Sequence, residues 1–223
     1  MLRLKSVGAI LLALSFLFNR AQGDPSESER IVIGYRTVDP VEAEEINEDN
    51  KPTRDPWYDG ARAHINQLGD GLYLTQKPAS WAGNPHIRNW YCVIKADKTK
   101  FAEARKIFIP EYFQVMSWSG IRDRVLWRGG EELIVHYIKY NIPEDPDRVL
   151  RFAWIYNSSS DLQMLIPSDF LNDDELDFWA KCFETKEELL AHSSEFVDWE
   201  KWNIEGNLGP PSLESFVPWI NDV

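Results

Sequence analysis

Cysteine is scarce, with two in 223 residues, so a dense disulfide scaffold is excluded. The four histidines, His64, His86, His136 and His192, stand apart without CxxC or HxxxH spacing, which removes the common zinc arrangements, and no metal is expected. Cations are outnumbered: 24 Lys and Arg face 36 Asp and Glu, a net charge of −12, so the electrostatic footprint needed on a nucleic-acid backbone is missing. No stretch reaches the roughly 20 apolar residues that span a bilayer, which argues against a membrane anchor. There is no GxSxG elbow and no glycine-rich phosphate loop, so two large enzyme classes drop out. What is present, 43 % hydrophobic and 27 % charged residues, suits one folded domain with a real core.

Arg3 and Lys5 precede an apolar run from Val7 to Phe18 and a small-residue exit at Ala21-Gln22-Gly23. Residues 1–23 therefore read as a secretory signal peptide, and 24–223 as a single secreted domain. Removing the leader takes away three basic residues and no acidic ones, leaving 21 positive against 36 negative side chains. In an oxidising route, Cys92 and Cys182 are most simply one disulfide, with two buried thiols or a metal pair as the alternatives. Asn157-Ser158-Ser159 is a glycosylation sequon, placing a glycan on Asn157 if it sits on a surface turn.

Strand-like runs occur at 31–38, 72–75, 90–96, 131–138, 148–156 and 163–166, rich in β-branched and aromatic residues. Helical character follows at 41–47 and 98–107, and the spacing of Leu176, Trp179, Ala180 and Phe183 predicts another helix. Thr185 with Glu188 has the capping-box form at the start of a further one. No repeat or linker interrupts this order, so the fold class is α+β.

Three elements then stand in order: Gly34-Tyr35-Arg36-Thr37 on the first strand, Gly71-Leu72-Tyr73-Leu74-Thr75-Gln76 on a second, and Glu131-Glu132 ahead of an apolar run. This resembles the ADP-ribosyltransferase fold, most closely the enterotoxin A-chain branch found also in secreted fungal proteins. Tyr58-Asp59-Gly60-Ala61-Arg62 is similar to a stretch of that branch as well. The resemblance implies a split β-sandwich with flanking helices and NAD as the substrate. It implies that Arg36, flanked by Tyr35 and Thr37, holds the NAD phosphates, as a planar guanidinium fork suits paired phosphate oxygens.

By the same resemblance, Tyr73 and Thr75 shape the nicotinamide pocket and Glu132 stabilises the oxocarbenium-like sugar formed as nicotinamide leaves. Adjacent residues on a strand point to opposite faces, so Glu131 and Glu132 cannot both enter the cleft from a regular strand. Glu131 would need a bulge at Gly129-Gly130 to take the second catalytic role. Here the sequence departs from the family, which carries Glu or Gln where Gly130 stands. His136 shares a strand face with Glu132 in this reading and is more simply a core histidine.

The activity implied is a secreted mono-ADP-ribosyltransferase or NAD glycohydrolase, a toxin or effector acting on an unnamed acceptor such as a host protein, with a separate delivery subunit required for entry. Two alternatives stand beside it. One is a non-catalytic effector or binding protein on the same fold. The other is a glycan-binding protein, suggested by ten tryptophans that include Trp179, Trp199, Trp202 and Trp219. Core packing is the simpler use of such large apolar rings.

Overall fold

Among the described residues, nine strands and six α-helices follow from the alternation of these runs. The strands are β1 (Arg30–Val38), β2 (Gly71–Thr75), β3 (Trp90–Asp97), β4 (Lys106–Phe108), β5 (Tyr112–Ser117), β6 (Gly120–Val125), β7 (Leu150–Trp154), β8 (Leu162–Pro167) and β9 (Trp179–Phe183). The helices are α1 (Pro40–Asp49), α2 (Pro56–Arg62), α3 (Lys98–Glu103), α4 (Glu131–Asn141), α5 (Ser168–Asn172) and α6 (Lys186–His192). The computed structural model describes residues 29–62, 65–158 and 161–211; the signal-peptide reading, His64, Ser159 of the sequon and Trp219 lie outside them. The α+β class holds.

Seven strands form one mixed sheet in the order β4-β7-β8-β2-β1-β3-β9. Only β4 and β7 run parallel in it. The sheet is covered on both faces. Along β7 and β8, Leu150, Phe152, Leu162, Met164 and Ile166 join one core with Ala43 and Ile46 of α1 and Leu171 of α5. Ala153 and Leu165 join a second core with Ile134, Tyr137 and Ile138 of α4. Each Leu, Ile, Phe or Met side chain among them, fully removed from water, contributes about 1.5–3 kcal/mol, and β8, lying between the two cores, is buried at every position.

Cys92 and Cys182 face each other on β3 and β9 and form the disulfide, as the even count implied. The outer edge of β9 is protected as well. The Asn47 side chain exchanges hydrogen bonds with the backbone of Cys182 at 3.0 and 2.8 Å, satisfying edge groups that would otherwise invite pairing with another chain.

Three sequence expectations change. The run at 131–138 is helical: Ile134, Tyr137, Ile138 and Ile142 are buried at the three- and four-residue spacing of a helix face, and two glutamates complement the dipole of the first turn. No strand, and no bulge at Gly129-Gly130, is formed there. The segment around Trp179, expected as a helix, is β9, in which buried Ala180 and Cys182 alternate with exposed Lys181. Five residues satisfy either period, and the pairing with β3 decides. The helix expected over 98–107 ends at Glu103, and β4 follows it to pair with β7. Residues 112–125, for which the sequence carried no assignment, form a separate two-stranded hairpin.

Candidate functional site

β2 carries two of the predicted residues, Tyr73 and Thr75. It pairs with β8 along five rungs, from Gly71↔Pro167 to Thr75↔Gln163, yet meets β1 at the single rung Tyr35↔Thr75. At this junction a cavity of about 200 Å³ opens. Thr75, Gln76, Lys77 and Trp81 line one side, and Ser158, Asp161 and Leu162 the other.

The cavity walls are tied across. Lys77 Nζ pairs with Asp161 at 2.9 Å, and the Ser158 hydroxyl donates to the same carboxylate at 3.0 Å. The Lys77 ammonium, against some burial, holds the Asp161 carboxyl below its ordinary range, so it is ionised at neutral pH. The Thr37 hydroxyl donates to the Trp81 carbonyl at 2.8 Å, fixing the loop that carries Trp81. Thr75 Oγ1 donates to the carbonyls of Lys77 and Tyr35 at 3.2 and 3.4 Å.

Arg36 and Tyr73 lie on the two sides of the β1–β2 opening. Arg36 makes a forked pair with Glu42 of α1 at 2.7 and 3.2 Å and reaches the Tyr73 carbonyl at 3.3 Å. The Tyr73 hydroxyl donates to the Gly69 carbonyl and accepts from the Leu68 N–H. Burial raises its pKa well above the usual phenol range. Tyr35 turns its ring into the core, 1 % exposed, with its hydroxyl against Ser193 and the Glu195 carbonyl.

The two glutamates separate, as adjacent residues on a helix do. Glu131 accepts two hydrogen bonds from the fully buried Arg151, at 2.7 and 2.6 Å, and one from the Asp70 N–H at 2.8 Å. Arg151 also donates to the Leu68 carbonyl at 2.8 Å. Gly69 sits inside this knot at φ +90°, where a Cβ would stand 2.1 Å from a Glu131 carboxylate oxygen, so only glycine fits. Glu131 thus anchors the turn that leads into β2. Burial, with Glu131 nearby, raises the pKa of Asp70. Glu132 is exposed on α4 and opens no strand, so its expected setting is corrected. The cavity takes Thr75 into its lining but not Arg36, Tyr73, Glu131 or Glu132.

Elsewhere, Asp59 pairs with Arg54 at 2.8 Å and accepts from Ser168, a buried brace between α2 and α5. Asn157 is exposed on a turn. Trp199 is fully buried and donates to the Ile33 carbonyl at 2.9 Å. The sequence reading missed Lys77, Trp81 and Asp161. A signal was available, because Asp161-Leu162-Gln163 is a carboxylate opening an apolar run, the same pattern that drew attention to Glu132. Among the described residues no cluster of three or more His, Cys, Asp or Glu suited to a metal occurs, and no helix is long and apolar enough to cross a membrane.

A protein-family model described as a family of unknown function, DUF5910, matches residues 66–207. No curated protein and no solved structure matches the chain. The matched span holds β2, the cavity, the disulfide and α4, and since it is more than half of the sequence, the chain belongs to the DUF5910 family.

Proposed function

We propose that the chain cleaves the nicotinamide–ribose bond of NAD, as a secreted mono-ADP-ribosyltransferase or NAD glycohydrolase, in the cavity at the end of β2. The observation that carries this reading is that Thr75, at the single rung joining β1 to β2, shares a cavity with Asp161, the carboxylate that opens the neighbouring strand β8. The cavity is smaller than the roughly 300–1,000 Å³ of typical ligand pockets, so in this reading only the nicotinamide–ribose end enters it and the pyrophosphate lies outside.

In this reading the C1′–N bond breaks with its electron pair leaving on nicotinamide. The ribose cation then bonds to water or to a nucleophile of the acceptor, which gives up a proton. Ionised Asp161 stabilises the positive charge as it develops. Lys77 supplies a cation at the cavity of an otherwise acidic chain. Arg36, held by Glu42, braces the β1–β2 opening, and contact with the phosphates requires it to exchange that partner. The same Arg36–Glu42 pair favours a second reading, a binding protein on this fold without turnover.

Nicotinamide release from NAD distinguishes them. The parent protein turns NAD over, and Asp161→Asn lowers the rate by about 10²–10³. No release from the parent supports the binding reading, and a loss confined to Glu132→Gln overturns the assignment to Asp161.

A further inference from the structure

The hairpin of β5 and β6 stands apart from the seven-stranded sheet, and among the described residues no third strand joins it. Its base is fixed by Phe113, whose ring meets Tyr137 of α4 at 5.5 Å, and by the Leu126 N–H bonded to the Glu111 carbonyl. From there outward every residue of β6 is exposed. The apex consists of Trp118, fully exposed, with Met116 at 83 % and Ile121 at 64 %. A folded chain does not ordinarily leave such side chains grouped in water unless the surface binds something.

The register orders the hairpin by depth. Behind the Trp118-Ser119 loop come the rungs Ser117↔Gly120, Met116↔Ile121, Val115↔Arg122, Gln114↔Asp123 and Phe113↔Arg124. Three large apolar groups therefore occupy the tip, and a cation follows one rung behind them. At roughly 3.4 Å per rung, the apolar tip is about 7 Å deep. That matches the 5–10 Å to which interfacial segments bury their apolar groups. Among the described residues, neither Arg122 nor Arg124 has an ion-pair partner, so their charge is available. They outnumber Asp123, the one acid of the hairpin, on a chain whose net charge is −12. Charges more than about 8–10 Å from the contact are screened at physiological salt, which lets a locally basic tip approach an anionic surface.

We infer that this hairpin is a membrane-docking wedge: Trp118, Met116 and Ile121 enter the interface of an anionic bilayer tip first, while Arg122 and Arg124 engage lipid headgroups. Indole suits the interfacial layer, having an apolar body and a polar N–H, and a long arginine side chain keeps its charged head at the headgroup level. The acidic body stays in water.

Co-sedimentation of the purified protein with vesicles tests it. Binding is expected to phosphatidylcholine–phosphatidylserine vesicles and to fall on adding salt. Arg122→Gln and Arg124→Gln should each weaken it roughly fivefold, and Trp118→Ser with Met116→Ser should abolish it. All four side chains are exposed, and circular dichroism verifies folding. No binding to the anionic vesicles, or binding that survives the tip substitutions, overturns the inference. So does a concentration-dependent dimer that the tip substitutions dissolve in the absence of vesicle binding, since the wedge would then serve a second copy of the chain.

Discussion

Lys106 shows how far its surroundings move a single group. Its side chain is 4 % exposed, lies over the Phe101 ring at 4.6 Å and donates to the carbonyls of Phe101 and Ala104. Loss of water lowers its pKa from 10.5 to about 8. In the unfolded chain the amine keeps its proton to higher pH. Below about pH 8 both states are charged, and the cost of burying that charge is fully present. As pH rises from about 8 toward 10.5 the folded amine is neutral first, and stability increases. Urea unfolding across that range should show the parent gaining on Lys106→Met, and a constant difference between them would contradict the shift. In the sequence this residue is one lysine among many, because nothing local reveals that Lys106 is buried against the Phe101 ring rather than pointing to water.

Helix α4 and the turn before β2 are one unit at the scale of elements. Glu131 supplies the first helical turn and also caps the turn at Gly69 and Asp70, and Arg151 from β7 satisfies both carboxylate oxygens. Replacing Glu131 by Gln leaves a fully buried guanidinium without its counter-charge, which is far costlier than losing an exposed pair. A loss of roughly 3 kcal/mol in the free energy of unfolding is expected for Glu131→Gln, measured by urea denaturation; a change under about 0.5 kcal/mol, the range of ordinary surface substitutions, would show that the knot is not structural. The capping box of α6 was readable in advance, since Thr185 and Glu188 satisfy each other's backbone within four residues. The helical state of 131–141 was not, because Leu133 to Ile138 is nearly continuous in apolar character. Only the packing of Ile134, Tyr137 and Ile138 against the sheet chooses the helical period.

For the molecule as a whole, the disulfide closes a loop of 90 residues between β3 and the edge strand β9. In the chain-entropy account, a loop of that length stabilises by about 4–5 kcal/mol. Replacing Cys92 and Cys182 together by alanine should lower the urea midpoint accordingly. An unchanged midpoint would mean that the unfolded chain is already restrained.

Some features are dictated locally. The strand runs at 31–38, 72–75 and 90–96, the helical character at 41–47 and the capping box follow from residue chemistry over a few positions and are present; the disulfide follows from the cysteine count rather than from any local pattern. The position of Glu132, the strand state of 179–183, the cavity joining Thr75 to Asp161 and the exposed Trp118 tip depend on which segments meet across 40 to 90 residues. Such meetings are set by burial of the whole set of apolar faces at once, a quantity that no single stretch of sequence contains.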